Sequence, residues 1–297
     1  MTSFVPLSLD HAPVFREFEK KYPLTASDSN FTNMIIWQNY YNFSWARLGD
    51  SLCVKASPQG GKPFCLPPLG DTTSLEAWDF LADSLETPLF SRVPERCKDF
   101  IGQHRPGWLI VPDRDNDDYV YLNNKLITLS GRIMHQKKNH YNYFRQNYQH
   151  EFLPIDKDLF PELRSLGDRW LDQKLEQGWE DSHLTVEKEA ISVILENYEA
   201  LGVSGIAIKV NGIIEAFSIG EMLNEDTIVV HVEKGNPGIR GIYVALVSNF
   251  CRMTFPNATY VNREQDLGLP GLRHSKLSLK PVDFVHKYLL HPKGLPE

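Results

Sequence analysis

The segment that decides the fold is Tyr260-Val-Asn-Arg-Glu-Gln-Asp-Leu-Gly-Leu-Pro-Gly-Leu-Arg-His-Ser-Lys-Leu-Ser278, near the end of a 297-residue chain. The apolar run that enters it predicts a buried strand over Ala258–Asn262. Polar side chains follow that strand at once, and loops at strand ends commonly carry binding and catalytic groups on a rigid scaffold. We therefore predict a pocket here. The alternative is a solvated loop held by surface ion pairs.

A second segment precedes it in the chain. Thr227–Glu233 is rich in β-branched residues and predicts a strand, and Ile242–Phe250 predicts a helix. Between them lies the glycine-rich turn Lys234-Gly-Asn-Pro-Gly-Ile-Arg-Gly241. Backbone N–H groups at such a helix start can hold a phosphate. The turn matches neither a P-loop nor GxGxxG, and glycines would also occur in a plain strand–turn–helix connection.

Four motifs together resemble a known family. They are residues 231–237 with 241–243, residues 261–268 with 271–278, residues 31–37, and residues 131–144. This combination is similar to an uncharacterised bacterial family related to the C-terminal domain of phosphatidylglycerol lysyltransferases. The resemblance extends over most of the chain. It implies two tandem GNAT-like acyltransferase domains, as in aminoacyl-tRNA-dependent transferases.

The order of predicted elements agrees with that implication. We expect an α/β (α+β) protein with mixed sheets flanked by helices, and GNAT-like domains at residues 1–150 and 151–297. In the second half two helices precede three strands, and Asn211-Gly212 joins the first two strands in a tight hairpin. Thr227–Glu233 and Ala258–Asn262 should then be parallel neighbours that diverge at their C-terminal ends.

Composition limits the class of protein. Hydrophobic residues make up 42% of the chain, enough for a sizeable core. No window approaches the roughly 18 apolar residues of a membrane span, and no signal peptide is visible, so a cytoplasmic location is expected. The four cysteines are widely spaced and form no CxxC, which predicts buried free thiols and argues against a zinc site and a disulfide framework. We expect no bound metal and no covalently bound cofactor. The Asp-rich segment 112–118 predicts a solvated turn.

Charge is unevenly distributed. The net charge of −7 argues against a DNA-binding protein. No acid occurs between Asp118 and Glu151, and this window carries five basic residues, whereas residues 151–200 carry a net charge of −8. A basic window on an acidic protein predicts a local anionic ligand, such as a nucleotide, coenzyme A or a tRNA end. The alternative is an ion-pair network between the basic and acidic segments. The sequence does not predict an oligomeric state.

A GNAT-like site needs little covalent chemistry. Backbone amides between the diverging strands polarise the donor carbonyl, and a nearby base removes a proton from the acceptor. The catalytic candidates are His231, Glu233 and Asp266. His231 and Glu233 are two residues apart on a strand, so they should share a face roughly 7 Å apart. A core histidine and an ion pair of Glu233 with Lys234 or Arg263 are the structural alternatives.

Donor- and substrate-binding candidates come from the resemblance and from the two segments above. They are Lys137, Lys138, Asn139, His140, Asn236, Arg240, Gly241, Tyr243, Asn262, Arg263, Glu264, Arg273 and Lys276. Arg263, Glu264, Asp266, Arg273 and Lys276 should converge on one pocket facing the glycine-rich turn.

We predict an acyl- or aminoacyltransferase that moves its group from a small-molecule or tRNA-end donor to an amine or hydroxyl. The turn departs from the usual acetyl-CoA signature, and Pro237 removes one N–H donor, so coenzyme A and aminoacyl-tRNA are both possible donors. The alternative is a non-catalytic GNAT-like protein that binds a nucleotide or an anionic headgroup.

Overall fold

The structure is a computed structural model that describes residues 3–176 and 181–293. Its α-helices are α1 Ala12–Lys21, α2 Phe31–Ile36, α3 Gln38–Tyr41, α4 Leu75–Asp83, α5 Glu95–His104, α6 Asn123–Thr128, α7 His135–Asn147, α8 Phe160–Glu176, α9 Asp181–Glu196, α10 Tyr198–Leu201, α11 Ile242–Thr254 and α12 Pro270–Ser278. Its strands are β1 Val5–Pro6, β2 Ser44–Leu48, β3 Ser51–Ala56, β4 Phe64–Cys65, β5 Leu69–Gly70, β6 Phe90–Pro94, β7 Leu109–Pro112, β8 Asp118–Leu122, β9 His150–Pro154, β10 Ser204–Val210, β11 Ile213–Met222, β12 Thr227–Gly235, β13 Tyr260–Asn262, β14 Asp283–Val285 and β15 Lys287–His291.

The chain forms two compact units built from non-contiguous segments. The first contains residues 1–118, 265–270 and 284–297, and the second contains residues 119–264 and 271–283. These units describe packing and do not follow a single cut near residue 150. The assignment of one GNAT-like domain to residues 1–150 and another to 151–297 stays a prediction.

The first unit is built on a mixed sheet with strand order β1-β2-β3-β4-β6-β15-β7, to which β5 adds by pairing with β3. All its pairings are antiparallel except that of β4 with β6. Helix α4 begins at Ser74, whose hydroxyl accepts the N–H of Ala77 at 3.3 Å. The helix lays Trp78 and Leu81 into a core that includes Phe90 and Leu290.

The second unit is built on a sheet with strand order β14-β8-β13-β12-β11-β10-β9. The hairpin of β10 and β11 turns at Asn211 and Gly212, whose φ values of 51° and 84° are those of a type I′ turn, as the sequence predicts. Helix α11 packs against β10 and β11 and is apolar along most of its length, with Ile242 and residues 244–251 buried. Among the helices that the structure describes, none has the length and apolar content of a membrane span.

Several predicted elements differ in extent from those observed. The basic and aromatic pattern of residues 131–148 predicts one long helix, but the structure has a 3-10 turn, Arg132–Met134, followed by α7. The pattern of residues 31–40 predicts a second helix, which breaks at Trp37 into α2 and α3. The apolar residues near 284–290 predict a single strand, whereas the structure has two, β14 and β15, which belong to different sheets. Only the packing of these segments decides where each element ends.

Candidate active site

Strands β12 and β13 are parallel neighbours, as predicted. They pair at three positions: Thr227 with Tyr260, Ile228 with Val261, and Val229 with Asn262. Strand β13 then ends, while β12 continues to Gly235. We call the opening between β12 and the segment after β13, beyond Val229 and Asn262, the strand gap. Polar side chains from β12 and from the segment after β13 meet across it.

His231 lies at a β-bulge on the β12 side of the strand gap. Ile219 of β11 pairs with Val232 and Gly220 pairs with Val230, which leaves His231 as the extra residue. Its side chain is fully buried. Nε2 lies 3.0 Å from a carboxylate oxygen of Glu221, and Nδ1 lies 3.2 Å from one of Glu264.

These two carboxylates keep the ring of His231 charged. Burial alone would lower the pKa of His231, but hydrogen bonds and charges from Glu221 and Glu264 outweigh burial and raise the pKa to about 9. Both nitrogens then donate, so at neutral pH the ring has no lone pair with which to accept a proton. The geometry therefore favours a structural role for His231, as a buried and hydrogen-bonded residue, over a role as the catalytic base.

Glu233 and Arg263 form a second bridge across the strand gap. Nη2 of Arg263 donates to Oε1 of Glu233 at 2.6 Å, and the two side chains are 10% and 15% exposed, respectively. The guanidinium lies 5.6 Å from the ring centre of Tyr121. Within the described part of the chain, Oε2 of Glu233 and both Nε and Nη1 of Arg263 have no hydrogen-bond partner. Buried polar atoms left unpaired are costly, and they mark a position where a substrate group can be bound.

Ser218 is a neighbour of this pair that the sequence analysis did not identify. It lies directly opposite Glu233 in the β11–β12 pairing, so both side chains project from the same face of the sheet. Its hydroxyl is buried and has no partner among the described residues. Only the observed register reveals this neighbour, because the bulge at His231 cannot be read from the alternation of apolar and polar residues.

A group of basic side chains lies on the same unit. Burial and the charges of Arg263 and Lys280 lower the pKa of Lys137, which is half-buried on α7. Burial, Arg240 and Lys137 likewise lower the pKa of His140. No hydrogen bond or ion pair joins Lys137 to another described residue. We call Lys137, His140, Arg240, Arg263 and Lys280 the cationic group, in which the lysines and arginines carry the positive charge. Mutual repulsion of this kind favours an anionic ligand.

Lys138 and Asn139 also lie on α7, but both are exposed. The side-chain amide of Asn139 lies 3.4 Å from the ring of His135, one turn earlier on the helix. The structure therefore brings Lys137 and His140 into the cationic group and places the two intervening residues toward solvent.

The glycine-rich turn is shaped by its own side chains. Asn236 donates to Glu215 at 3.1 Å and accepts the N–H of Gly238 at 2.9 Å, while the hydroxyl of Tyr243 donates to the carbonyl of Gly235 at 2.6 Å. The guanidinium of Arg240, which is exposed, lies 4.4 Å from the ring centre of Tyr143.

Gly241 holds this turn against α7. Its φ is +89°, and an added Cβ would lie 2.2 Å from the carbonyl oxygen of His140. No side chain of the described residues caps the start of α11. The N–H of Ile242 donates to the carbonyl of Ile239 at 3.2 Å, so it is the N–H groups of the next residues that can receive an anion.

The polar cluster after Asn262 is only partly assembled as predicted. Asn262 is buried and accepts the N–H of Glu264 at 2.8 Å. The ammonium of Lys276, also buried, donates to the carbonyl of Arg263. Arg273 is half-buried on α12. The contacts thus connect Asn262, Arg263, Glu264 and Lys276 within the second unit.

Asp266 belongs to the first unit, so a pocket shared with the other four candidates stays a prediction. It is completely buried, whereas the sequence analysis expected it in an accessible pocket. Its carboxylate accepts the N–H of Gly268 at 2.9 Å and lies 3.4 Å from Nη1 of Arg114. A carboxylate with these partners fixes the loop around it.

The Asp-rich segment 112–118 differs from the solvated turn that the sequence predicts. Asp117 and Asp118 are buried and have hydrogen-bond partners from both ends of the chain. Lys287 donates to Asp118 at 2.6 Å and to Asp28, and Arg92 lies 2.7 Å from Asp28. Gln265 donates to both Asp28 and Asp118, at 3.1 and 3.0 Å. We call this set the Lys287 cluster.

Comparison with known proteins agrees with the architecture. The family model described as "Phosphatidylglycerol lysyltransferase, C-terminal" matches residues 19–291, which confirms the resemblance seen in the sequence. A conserved protein of unknown function from Bacteroides thetaiotaomicron superposes with a TM-score of 0.90 at 30% identity, over 98% of this chain and 99% of that one.

More distant structures agree on the fold. The L-PGS structure from Bacillus licheniformis matches with a TM-score of 0.65 at 17% identity, over 96% of this chain and 92% of that one. A tandem GNAT protein from the clavulanic acid biosynthesis pathway matches with a TM-score of 0.54 at 9% identity, over the full length of both chains. The predicted tandem GNAT-like architecture, with two mixed sheets flanked by helices, is confirmed.

One curated relative is an uncharacterised protein of Mycoplasmoides gallisepticum, 23% identical over 175 residues. The match covers 58% of this chain and 55% of that protein, so the chain spans about half the length of this relative.

Proposed function

The chain belongs to the family of phosphatidylglycerol lysyltransferase C-terminal domains, and from this premise we propose that it is an acyl- or aminoacyltransferase. The transferred group would come from coenzyme A or from the aminoacylated end of a tRNA and would pass to an amine or a hydroxyl. The family description names a lysyl transfer, which supports acyl or aminoacyl transfer in general terms.

The observation that carries the proposal is the Glu233–Arg263 bridge at the strand gap. Beyond Val229, β12 is no longer paired with β13. Backbone N–H groups at such an edge can polarise the carbonyl of a donor placed there. Oε2 of Glu233 accepts no hydrogen bond from the described residues, so it can receive the proton of an attacking amine or hydroxyl. Glu233 is therefore the base we propose, in preference to His231, whose ring is already protonated.

Arg263 has two roles in this scheme. It holds Glu233 in place through Nη2, and it offers Nε and Nη1 to oxygen atoms of a substrate. The charge that develops on the donor carbonyl oxygen during attack would be stabilised by such donors. The donor carbonyl carbon then forms its new bond to the acceptor, and the thiol or ribose oxygen of the donor leaves with a proton.

The cationic group supports an anionic donor. Lys137, Arg240 and Lys280 lie on or near α7, α11 and α12, so positive charge from three elements faces a ligand. Both possible donors carry phosphate groups, and the start of α11 offers further N–H groups to a phosphate. The outer contacts to the same donor would come from Lys138, Asn139 and Arg273. The turn that frames the donor would be held by Asn236 and Tyr243.

The test compares binding with turnover. Purified protein is titrated calorimetrically with coenzyme A and with a non-hydrolysable aminoacylated mimic of the tRNA end. Transfer of a radiolabelled acyl or aminoacyl group is then followed with amine and hydroxyl acceptors. We expect Glu233→Gln to retain donor binding within about threefold and to lose transfer by at least a hundredfold.

The matched control is Glu225→Gln, which changes an exposed carboxylate before β12. This variant should transfer at the rate of the parent protein. If donors bind but no acceptor is modified, and Glu233→Gln changes nothing, the non-catalytic alternative that binds a nucleotide or anionic headgroup replaces this proposal.

A further inference from the structure

Two charged bridges of opposite polarity span the strand gap. On β12 the bulged His231 is the cation and Glu233 is the anion, while on the chain leaving β13 their partners are the anion Glu264 and the cation Arg263. Both bridges join the same two segments. A change in the position of Glu264 therefore moves Arg263, its neighbour in sequence.

The two bridges differ in how completely they are satisfied. Each ring nitrogen of His231 has a carboxylate oxygen at 3.0 or 3.2 Å, and the ring has no exposed surface. In the Glu233–Arg263 bridge, three buried polar atoms have no partner among the described residues. The first bridge is thus complete in the protein alone, whereas the second has hydrogen-bonding capacity left for a ligand.

The backbone at Glu264 explains why this residue needs support. Its φ is +54°, a left-handed conformation that is costly for a residue with a side chain. The N–H of Glu264 donates to Asn262 at 2.8 Å, and its carbonyl accepts the N–H of Tyr119 at 3.2 Å. The contact of His231 with the carboxylate is a further restraint, and it comes from β12.

We propose that His231 is a positioning residue: held by Glu221 on β11, it fixes Glu264 and so sets Arg263 against Glu233 in the strand gap. It takes no part in proton transfer. The charged groups that face its ring are Glu221 from β11 and Glu264 from the segment after β13, and Glu233 and Lys234 follow it on β12. The ring is a cation at neutral pH because of the two facing carboxylates.

The test reads Arg263 directly, without substrate. Exchange of its Nε–H with water is measured by ¹⁵N NMR in the parent protein and in His231→Gln. We expect at least tenfold faster exchange in the variant, because Glu264 loses its tether and Arg263 becomes mobile. His150→Gln is the control, since His150 lies on β9 of the same unit and its Nδ1 lies 2.8 Å from the carbonyl of Tyr148. This control should leave Arg263 exchange unchanged.

Glu221→Gln keeps the ring and Glu264, so it tests the inference if His231→Gln fails to fold. In this variant the NMR titration midpoint of His231 should fall and Arg263 exchange should accelerate at least threefold. Unchanged Arg263 exchange in a folded variant would overturn the inference. So would a His231 midpoint near the ordinary value of about 6.5 in the parent protein.

The activity arm rests on the proposed transfer reaction, whereas the NMR arm does not, so the two can fail separately. With a working assay, His231→Gln should lower kcat at least tenfold and change KM for the donor less than threefold. The parent enzyme should stay active up to about pH 9 and lose activity above it. A rising limb near pH 6.5 that disappears in His231→Gln would instead identify the ring as the base and contradict the inference.

Discussion

Two lysines of this chain lie in opposite electrostatic surroundings. Lys287 is buried in the first unit between Asp28 and Asp118; burial alone would lower its pKa, but these carboxylates outweigh it and raise the pKa. Lys137 is half-buried in the second unit, where burial, Arg263 and Lys280 all lower its pKa. The difference separates scaffold from site. A charge that stabilises the fold has its countercharge inside the protein, whereas a charge kept for a ligand destabilises the unliganded protein.

The largest effect should follow from removing the cation of the Lys287 cluster. Lys287→Met leaves Asp28 and Asp118 buried without their shared cation, so the free energy of unfolding should fall by about 3–5 kcal/mol. Urea denaturation at pH 7 measures it. Lys157→Met is the control, because Lys157 pairs with Glu199 on the surface, with both side chains more than 60% exposed. The control should lose less than about 1 kcal/mol. A similarly small loss for Lys287→Met would show that the cluster does not support the fold.

The next effect is alkaline loss of stability through His231, a buried cation that should behave like Lys287. Its pKa in the folded protein is about 9, above the unfolded value near 6.5. Its contribution is therefore complete below pH 6.5 and disappears as pH rises through 9. The shift corresponds to on the order of 3 kcal/mol.

Denaturation of the parent protein and of His231→Gln between pH 6 and 10 isolates this contribution. The difference between the two free energies of unfolding should shrink as pH rises. A difference that stays constant across this range would mean that the ring does not carry a proton in the folded protein.

The second sheet can be predicted from the sequence better than the charged clusters can. The β-branched run of β12, the glycine-rich turn and the Asn211-Gly212 hairpin are local signals, and the parallel pair β12–β13 follows from them. The same alternation placed His231 and Glu233 together on one regular strand. The bulge at His231 interrupts that alternation, and the two side chains take different partners.

The Lys287 cluster was not visible for a different reason. Asp118 and Lys287 are 169 residues apart, and Gln265 and Asp28 are 237 apart. Nothing local in the Asp-rich segment indicates a distant cation, so its composition predicts a solvated turn. Long-range pairing of charges is decided by the tertiary fold and has no short-range pattern in the sequence.

A smaller effect is expected at Asp266, whose buried carboxylate has its partners inside the protein, as Lys287 does. Asp266→Asn keeps an oxygen for the N–H of Gly268 but removes the charge that faces Arg114. The free energy of unfolding should fall by about 1–3 kcal/mol. Asp99→Asn, at an exposed carboxylate on α5, is the control and should cost less than about 1 kcal/mol. If Asp266→Asn keeps full stability but loses ligand binding or transfer, Asp266 acts in the site, as the sequence first suggested.

The smallest effect has the opposite sign and is the sharpest test of the comparison. Lys137→Gln removes one of several cations that repel each other, so the unliganded protein should become more stable. The side chain is only partly buried, so solvent screens the charge and limits the gain to about a few tenths of a kcal/mol. The same change should weaken binding of an anionic donor several-fold and reduce its dependence on salt concentration, because one favourable contact to phosphate is lost.

Lys138→Gln provides the matched control, since Lys138 is the next residue on α7 but is exposed. It should leave both stability and affinity for coenzyme A close to those of the parent protein. Urea denaturation and calorimetric titration at two salt concentrations measure both quantities for the pair of variants. A loss of stability in Lys137→Gln would show that Lys137 has a countercharge in the folded protein. Lys137 would then resemble Lys287, and the cationic group would stabilise the fold instead of binding an anionic ligand.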